Sequence, residues 1–457
     1  MKYDKEILKI ALPSIVTNIT VPLLGIVDVA ITGHIGNSTV AIGAIAVGGL
    51  VFNMVYWLFN FLRMGSSGLT AQAYGRGDGE GQRRVLGMGI KVAVVCGLGI
   101  ICLQRPLEWM AHWIIAPSDE VWELAVQYFR IRVWAAPAVL MLFTLNGWFI
   151  GMQNSRYPLY IAVGQNLINI VVSYALVFHY DMGVQGVAIG TVVAQYLGLL
   201  AAIELSTYLS TNIVDNAISE GYEQGNVDKS GENLTSYQQF FTVNRDIFFR
   251  MICLIAVTTA FTSYGSHLGD ALLAVNTLLL QLFTLFSYFS DGFAAAGEAI
   301  VGKYFGASQY KNIDKIVKRL FLWGAGVVVL FTAIYTLGGL PFLRLLSDED
   351  EVIQASAPYL PWAIGIPVCG IAAFMWDGVF IGLTATRQMF FSLLVGALVF
   401  FGLYEGISAL LIAQNGADGV SAGTLNHVLW GAFLAYLVVR GVYLSFAYLS
   451  HAHSKHR

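Results

Sequence analysis

Four acidic residues lie inside long apolar stretches of this sequence, where a charge is energetically costly. They are Asp28, Asp291, Glu298 and Asp377. Ionisable groups in such stretches usually face a cavity or an oppositely charged partner. A carboxylate held away from bulk water can bind a proton, and it can bind a metal cation when further oxygen atoms surround it. We therefore treat these acids as candidates for proton or cation binding.

Asp28 is the most informative of the four because it lies deep in the first apolar stretch, within LLGIVDVAITGHIG. At helical spacing it shares one face with small and polar residues. These are Ser14, Thr17, Gly25 and Thr32. Pro13 and Pro22 predict kinks in this helix. The pattern favours a functional carboxylate; the alternative is an acid near the outer end of the helix that is simply hydrated.

Neutral polar residues recur at helical spacing on two later apolar stretches. They are Asn166, Asn169 and Ser173 on one stretch, and Thr191 and Gln195 on the next. Their oxygen atoms suit a hydrogen-bond network or a weakly charged cation site around Asp28. The alternative is that they hold neighbouring helices together, a common use of such residues in membranes.

The second half of the chain carries a longer polar stripe, which must face protein or water. Its members are Thr277, Gln281, Thr284, Tyr288, Asp291 and Glu298, and a shorter stripe in the first half contains Asn53, Tyr56, Asn60 and Arg63. The candidate cavity residues are Asn60, Asn146, Tyr288, Asp291, Glu298 and Asp377. For the acids of the long stripe, a structural ion pair with Arg63 or Arg250 is the alternative.

The composition requires a membrane rather than water around most of the chain. Of the 457 residues, 57% are hydrophobic and 12% are charged, whereas soluble domains are typically about 25% charged. The net charge of −3 argues against a nucleic-acid partner. The chain contains no GxxxxGK[ST], HExxH or GxSxG motif, so we expect neither an enzyme nor a cofactor.

Runs of about 20 apolar residues are long enough to cross a bilayer as helices. The sequence predicts about twelve of them, near 7–33, 39–66, 86–104, 121–147, 157–179, 185–209, 245–267, 272–300, 317–339, 352–381, 388–412 and 424–449. One long polar segment, 210–244, separates the first six from the last six. The predicted fold is therefore an all-α integral membrane protein with an N-terminal lobe (1–209), a linker (210–244) and a C-terminal lobe (245–457).

The two halves repeat each other at an offset of 231 residues. Segment 60–75 (NFLRMGSSGLTAQAYG) falls on 291–306 (DGFAAAGEAIVGKYFG), and 146–156 (NGWFIGMQNSR) falls on 377–387 (DGVFIGLTATR). Both halves begin on the same side of the membrane, so the repeats are parallel. That arrangement suits two bundles that rock around a central cavity, as in secondary transporters.

Lysine and arginine are unequally distributed between alternate loops. The richer loops include Lys2, Lys5, Lys9, Arg76, Arg83, Arg84, Arg156, Lys229, Lys311, Lys315, Arg387 and Lys455. The opposite loops contain mainly Arg105 and Arg344. The positive-inside rule therefore predicts that both termini and the linker lie in the cytoplasm.

Three segments give the chain a specific resemblance. Ala11–Gly36 (ALPSIV…PLLGIVDVAITGHIG), Gly183–Tyr196 (GVQGVAIGTVVAQY) and Arg250–Ala307 resemble the DinF-type branch of the MATE (multidrug and toxic compound extrusion) family. The resemblance implies two six-helix lobes around a V-shaped cavity in a bacterial inner membrane. It also implies antiport of organic cations against protons or sodium.

The resemblance extends to individual positions. Asp28 occupies the position of the family's helix-1 acid, and Asn169 and Thr191 match residues that surround it. Ser173 stands where many members have an aspartate. That loss of a charge favours proton coupling, with a sodium site at Asp28, Asn169 and Thr191 as the other possibility. Asp377 matches a second-lobe acid of another branch.

The function expected from these features is efflux of an organic cation or amphipathic small molecule, driven by protonation of Asp28. We expect a monomer that contacts membrane lipid. The alternative is a lipid-linked precursor flippase with a related two-lobe fold. A flippase needs a strongly cationic cavity for pyrophosphate, whereas the interior cations of this chain are chiefly Arg63 and Arg250.

Overall fold

The computed structural model describes residues 2–33, 38–115, 118–219, 236–347, 349–416 and 419–455, and the regular elements in these ranges are helices. They are α1 (Lys2–Thr32), α2 (Ser38–Leu58), α3 (Phe61–Arg76), α4 (Gly79–Cys102), α5 (Gln104–Ile115), α6 (Asp119–Arg132), α7 (Ala136–Gly151), α8 (Arg156–Phe178), α9 (Gly183–Ser219), α10 (Tyr237–His267), α11 (Asp270–Gly306), α12 (Tyr310–Leu343), α13 (Asp350–Ala355), α14 (Leu360–Gly382), α15 (Thr386–Asn415) and α16 (Ala422–Lys455). A 3-10 turn, Val133–Ala135, joins α6 to α7.

Twelve segments in the described ranges are long and apolar enough to span a membrane. This confirms the predicted number of spans, but not every predicted boundary. The span predicted at 39–66 consists of α2 and α3, which meet at Phe59 and Asn60. The span predicted at 352–381 begins later, at Leu360, because α13 is a separate helix and Pro361 occupies the first turn of α14.

The helices that flank the predicted linker 210–244 are longer than the apolar stretches within them. Helix α9 continues to Ser219, and α10 begins at Tyr237. Polar residues can prolong a helix beyond the bilayer, since only the apolar part has to match the membrane thickness. The remainder of the predicted linker, 220–235, lies outside the described residues.

The internal repeat appears as equivalent contacts in the two lobes. A methyl group on Gly147 in α7 would come within 2.1 Å of the carbonyl oxygen of Arg63 in α3. At the equivalent positions in the second lobe, a methyl group on Gly378 in α14 would come within 2.2 Å of the carbonyl oxygen of Ala294 in α11. The same close crossing of two helices thus occurs twice, which confirms the two pseudo-symmetric six-helix lobes.

The lobes contact each other near the helix ends that carry Arg76, Arg156, Lys311 and Arg387, and we call this the basic end. A methyl group on Gly75 would lie 1.9 Å from the carbonyl oxygen of Lys303. The equivalent contact is the carbonyl oxygen of Gln72, 2.0 Å from a methyl group on Gly306. Residues without side chains at these two positions let α3 and α11 pack backbone to backbone.

Two amide side chains also cross between the lobes at the basic end. Gln72 donates to the carbonyl oxygen of Gly382 at 2.9 Å, and Gln153 donates to that of Ala299 at 2.8 Å. The described structure is therefore closed between the lobes at the basic end.

We expect Gly75→Ala and Gly306→Ala each to lower the thermal stability of the purified protein. The added methyl group overpacks the contact between the lobes, and such changes cost about 1–3 kcal/mol. The measurement is a thermal unfolding midpoint in detergent. Gly87→Ala is the matched control, because Gly87 is also helical but has open space at its Cβ position. Equal midpoints for Gly75→Ala and Gly87→Ala would contradict the backbone contact.

Candidate ion and substrate sites

Asp28 is buried at the centre of a small polar cluster formed by α1, α8 and α9. Thr191 Oγ1 donates to Asp28 Oδ2 at 3.3 Å. In the amide orientation that satisfies both of its polar atoms, Asn169 donates to Asp28 Oδ1 at 3.2 Å and accepts from the backbone N–H of Thr191 at 3.3 Å. Each carboxylate oxygen therefore has one hydrogen-bond donor. The structure brings together the three predicted residues Asp28, Asn169 and Thr191.

Ser173 is buried close to this cluster but takes another role. A methyl group on Gly190 would come within 2.1 Å of Ser173 Oγ, so the serine fills the crossing between α8 and α9. The Ser173 hydroxyl has no hydrogen-bond partner among the described residues. Ser173 is therefore a small residue that allows α8 and α9 to pack closely, and it is not a third hydrogen-bond partner of Asp28.

The other polar residues predicted on these helices hold helices together. Asn166 donates to the carbonyl oxygen of Thr20 at 2.9 Å, which ties α8 to α1. Gln165 donates to Gln195 at 2.9 Å, which ties α8 to α9. These contacts agree with the alternative that the sequence left open for them, a structural role between helices.

Arg132 is a charged residue of this site that the sequence analysis missed. Its guanidinium group donates to the hydroxyl of Tyr128 and lies 5.1 Å from the ring centre of Phe52 and 5.3 Å from that of Tyr128. It also interacts electrostatically with Asp28. The available signal was a basic residue inside the predicted span 121–147.

In the second lobe, Asp377 lies between two buried arginines. Arg250 in α10 and Arg440 in α16 both donate to Asp377 Oδ2, the latter at 2.9 Å. The side chains of the arginines are each 4% exposed, and that of Asp377 is 9% exposed. A pairing for Arg250 was predicted from the sequence, whereas Arg440 was not. The sequence predicted chiefly Arg63 and Arg250 as interior cations, and the structure adds Arg132 and Arg440.

Glu298 and Arg63 form an ion pair between the lobes. Arg63 in α3 lies 3.5 Å from Glu298 in α11, and the side chain of Glu298 is 2% exposed. Arg63 also donates to Asn60 at 3.2 Å. The ion-pair alternative for Glu298 is therefore what the structure shows. This pair adds an electrostatic contact to the closed basic end.

Asp291 differs from the other acids because its side chain is exposed. It lies near enough to Arg63, Arg250 and Asp377 to interact with their charges. Tyr288, one turn away on α11, is half-buried, and its carbonyl oxygen accepts from Asn18 of α1 at 3.1 Å. Asp291 is thus the predicted cavity acid that remains accessible.

Asn146, the counterpart of Asp377 in the first lobe, has a buried side-chain oxygen without a hydrogen-bond partner among the described residues. The two lobes therefore differ at this equivalent position. The second lobe has a carboxylate between two arginines, and the first has a neutral amide. The described residues contain no group of three or more His, Cys, Asp or Glu that could hold a metal ion.

We expect Asp377→Asn to destabilise the protein strongly. Removing the carboxylate leaves Arg250 and Arg440 buried without a counter-charge, and breaking such a pair costs about 3–5 kcal/mol. Thermal unfolding in detergent measures the effect. Asp350→Asn is the control, because its ion pair with Arg344 is exposed and worth about 0–1 kcal/mol. A similar, small shift for both variants would show that Asp377 does not balance the arginines.

Comparison with known proteins agrees with this architecture. The MatE family model matches residues 13–175 and 247–404, which is more than half of the chain. DNA damage-inducible protein F of Escherichia coli is 34% identical over 449 residues, covering 98% of this chain and 92% of that protein. A probable multidrug resistance protein NorM of Thermotoga maritima is 22% identical, covering 77% of this chain and 74% of that protein.

Solved structures show the same fold at low sequence identity. The outward-facing conformation of a multidrug resistance MATE family transporter matches with a TM-score of 0.81 and 15% identity, over 97% of this chain and 96% of that one. A MATE structure in the bent conformation matches with a TM-score of 0.78 and 17% identity, over 99% and 98%. The chain therefore belongs to the MATE family of multidrug and toxic compound efflux transporters, and it is a membrane transporter rather than an enzyme.

Proposed function

We propose that this protein exports organic cations or amphipathic small molecules in exchange for protons, and that Asp28 carries the proton. The observation that supports this most directly is the buried carboxylate of Asp28, which has a single hydrogen-bond donor on each oxygen. Such a group can exist in a charged and a protonated form within the same pocket. Loss of its charge on protonation changes how strongly the pocket attracts a cation.

The path from Asp28 to the second lobe runs along α1. Asn18 of α1 donates to the carbonyl oxygen of Tyr288 in α11, and Ile15 packs where a methyl group on Gly292 would be 2.3 Å away. Pro22 lies between these contacts and Asp28, and it removes one backbone hydrogen bond from the helix. We infer that protonation of Asp28 repacks α1 around Pro22 and thereby alters the contact between the lobes.

The direction of transport follows from the distribution of charge. Loops rich in lysine and arginine face the cytoplasm in most membrane proteins, so we infer that the basic end and both chain termini lie inside the cell. With the basic end closed, we infer that the cavity between the lobes opens towards the outside. In that state a proton enters from the outside and reaches Asp28. The substrate is released to the outside in exchange.

The pairing of the interior arginines argues against a flippase for lipid-linked pyrophosphates. Such a cavity needs arginine or lysine side chains without counter-charges. Here Arg250 and Arg440 are bound to Asp377, and Arg63 is bound to Glu298. The accessible acid Asp291 adds a negative charge, which favours a cationic substrate over a polyanion.

In proteoliposomes we expect a pH gradient, acid on the outer side of the transporter, to drive movement of a fluorescent organic cation towards that side. Asp28→Asn should reduce this transport to the rate of empty liposomes, because the amide cannot take up a proton. Thr191→Ala should cause a partial loss of about tenfold, since a hydrogen bond to a charged group is worth about 1.5–3 kcal/mol.

Asp270→Asn is the matched control, because Asp270 is an exposed acid at the start of α11. It should transport at the wild-type rate. If neither a pH nor a sodium gradient moves any candidate cation, the antiporter proposal is wrong. Wild-type transport by Asp28→Asn would remove Asp28 from the mechanism.

A further inference from the structure

A permanent positive charge stands beside the Asp28 cluster. The guanidinium group of Arg132 is held by the hydroxyl of Tyr128 and by the faces of two aromatic rings, Phe52 and Tyr128. Tyr128 belongs to the same buried cluster as Ile31 of α1 and Val187 of α9. Ile31 is close to Asp28 along α1, and Val187 lies one turn before Thr191. The ring of Tyr128 therefore links the arginine to the helices that hold the carboxylate.

The remaining groups around Asp28 carry no charge. Helix α8 contributes Asn169 and Ser173, and α9 contributes Thr191. Helix α6 adds the phenol of Tyr128 besides Arg132. From α2 comes Tyr56, whose hydroxyl is buried without a hydrogen-bond partner among the described residues and interacts electrostatically with Arg132. With Asp28 ionised, this pocket contains one negative and one positive charge.

A proton and a sodium ion differ in how they bind to a carboxylate in this pocket. A proton bonds covalently to one carboxylate oxygen and needs no shell of ligands. The guanidinium charge opposes the binding of either cation, and the repulsion between unit charges is substantial even in a polarisable site. The covalent bond of the proton outweighs that repulsion, whereas sodium is held only by electrostatic attraction to its ligands. The pocket also offers sodium a single carboxylate, because the neighbouring position on α8 is Ser173.

We propose that Arg132 determines the ion selectivity of this transporter: its guanidinium group takes the electrostatic place of a metal ion beside Asp28, so that the site accepts protons and excludes sodium. Arg132 acts through Asp28 and is a selectivity residue, not a proton carrier. The inference rests on the proposed role of Asp28 in coupling. It goes beyond that role by assigning the choice of ion to a residue on a different helix.

Sodium binding to the purified protein tests this directly, without any transport assay. The wild type should show no thermal stabilisation when potassium is replaced by sodium at constant ionic strength. Arg132→Gln, or Arg132→Met if the glutamine variant is poorly folded, should gain sodium-dependent stabilisation with an apparent affinity at least about tenfold higher, the size expected for removal of one nearby unit charge. Arg132→Lys keeps the charge and should remain insensitive to sodium.

Arg130→Gln is the matched control, since Arg130 is two residues away on α6 but is paired with Glu108 at 2.9 Å. It should behave like the wild type. Adding Asp28→Asn to Arg132→Gln should abolish the gained response, because the carboxylate is the required ligand.

Three results would overturn the proposal: sodium stabilisation of the wild type that is lost in Asp28→Asn, a sodium response in Arg132→Lys equal to that of Arg132→Gln, or folded glutamine and methionine variants that remain insensitive. These outcomes are distinct from a failure of the proposed function. That failure would appear as absent proton-driven transport in liposomes, whatever the sodium response of the purified protein.

Discussion

The main constraint on this structure is that a charge removed from water needs an opposite charge or a set of hydrogen-bond donors beside it. Asp377 lies between two arginines, Glu298 meets Arg63 across the lobes, and Asp28 receives a hydrogen bond on each oxygen. Each partner comes from another helix. The burial of these charges therefore requires the helices to be in one particular arrangement.

The same constraint explains why the lobes are alike in shape but different in chemistry. Equivalent glycines, such as Gly147 and Gly378, give both lobes the same helix crossings. The charges are not duplicated. The first lobe has a carboxylate that accepts two hydrogen bonds and lies near one arginine, whereas the second has a carboxylate bound directly by two arginines. A carboxylate so firmly paired stabilises the arrangement of the lobe, whereas Asp291 is an exposed acid there.

Alternating access needs contacts that are close but can separate. The closed basic end is formed by backbone-to-backbone packing at Gly75 and Gly306, by amide hydrogen bonds and by ion pairs between the lobes. The ion pairs include Arg63–Glu298, Lys303–Glu6 and Arg319–Asp4. The glycine contacts and the amide hydrogen bonds require no large interlocking side chain. An interface of this kind can open as a unit when α1 repacks, because short-range contacts are lost together once the helices move apart.

The sequence by itself determined the elements and their order: apolar length predicts the twelve spans, and the 231-residue offset predicts two parallel lobes. It also identified Asp28, because an acid in an apolar helix is visible without any knowledge of its neighbours. Only the tertiary structure decided the partners. Ser173 became a packing residue against Gly190, and Arg132 and Arg440 came to lie near Asp28 and Asp377. The physical reason is that helical periodicity is a local property, whereas the pairing of buried charges depends on which helix faces pack together. When the two residues of a pair are more than 60 positions apart, a single sequence contains no local pattern that identifies them as partners.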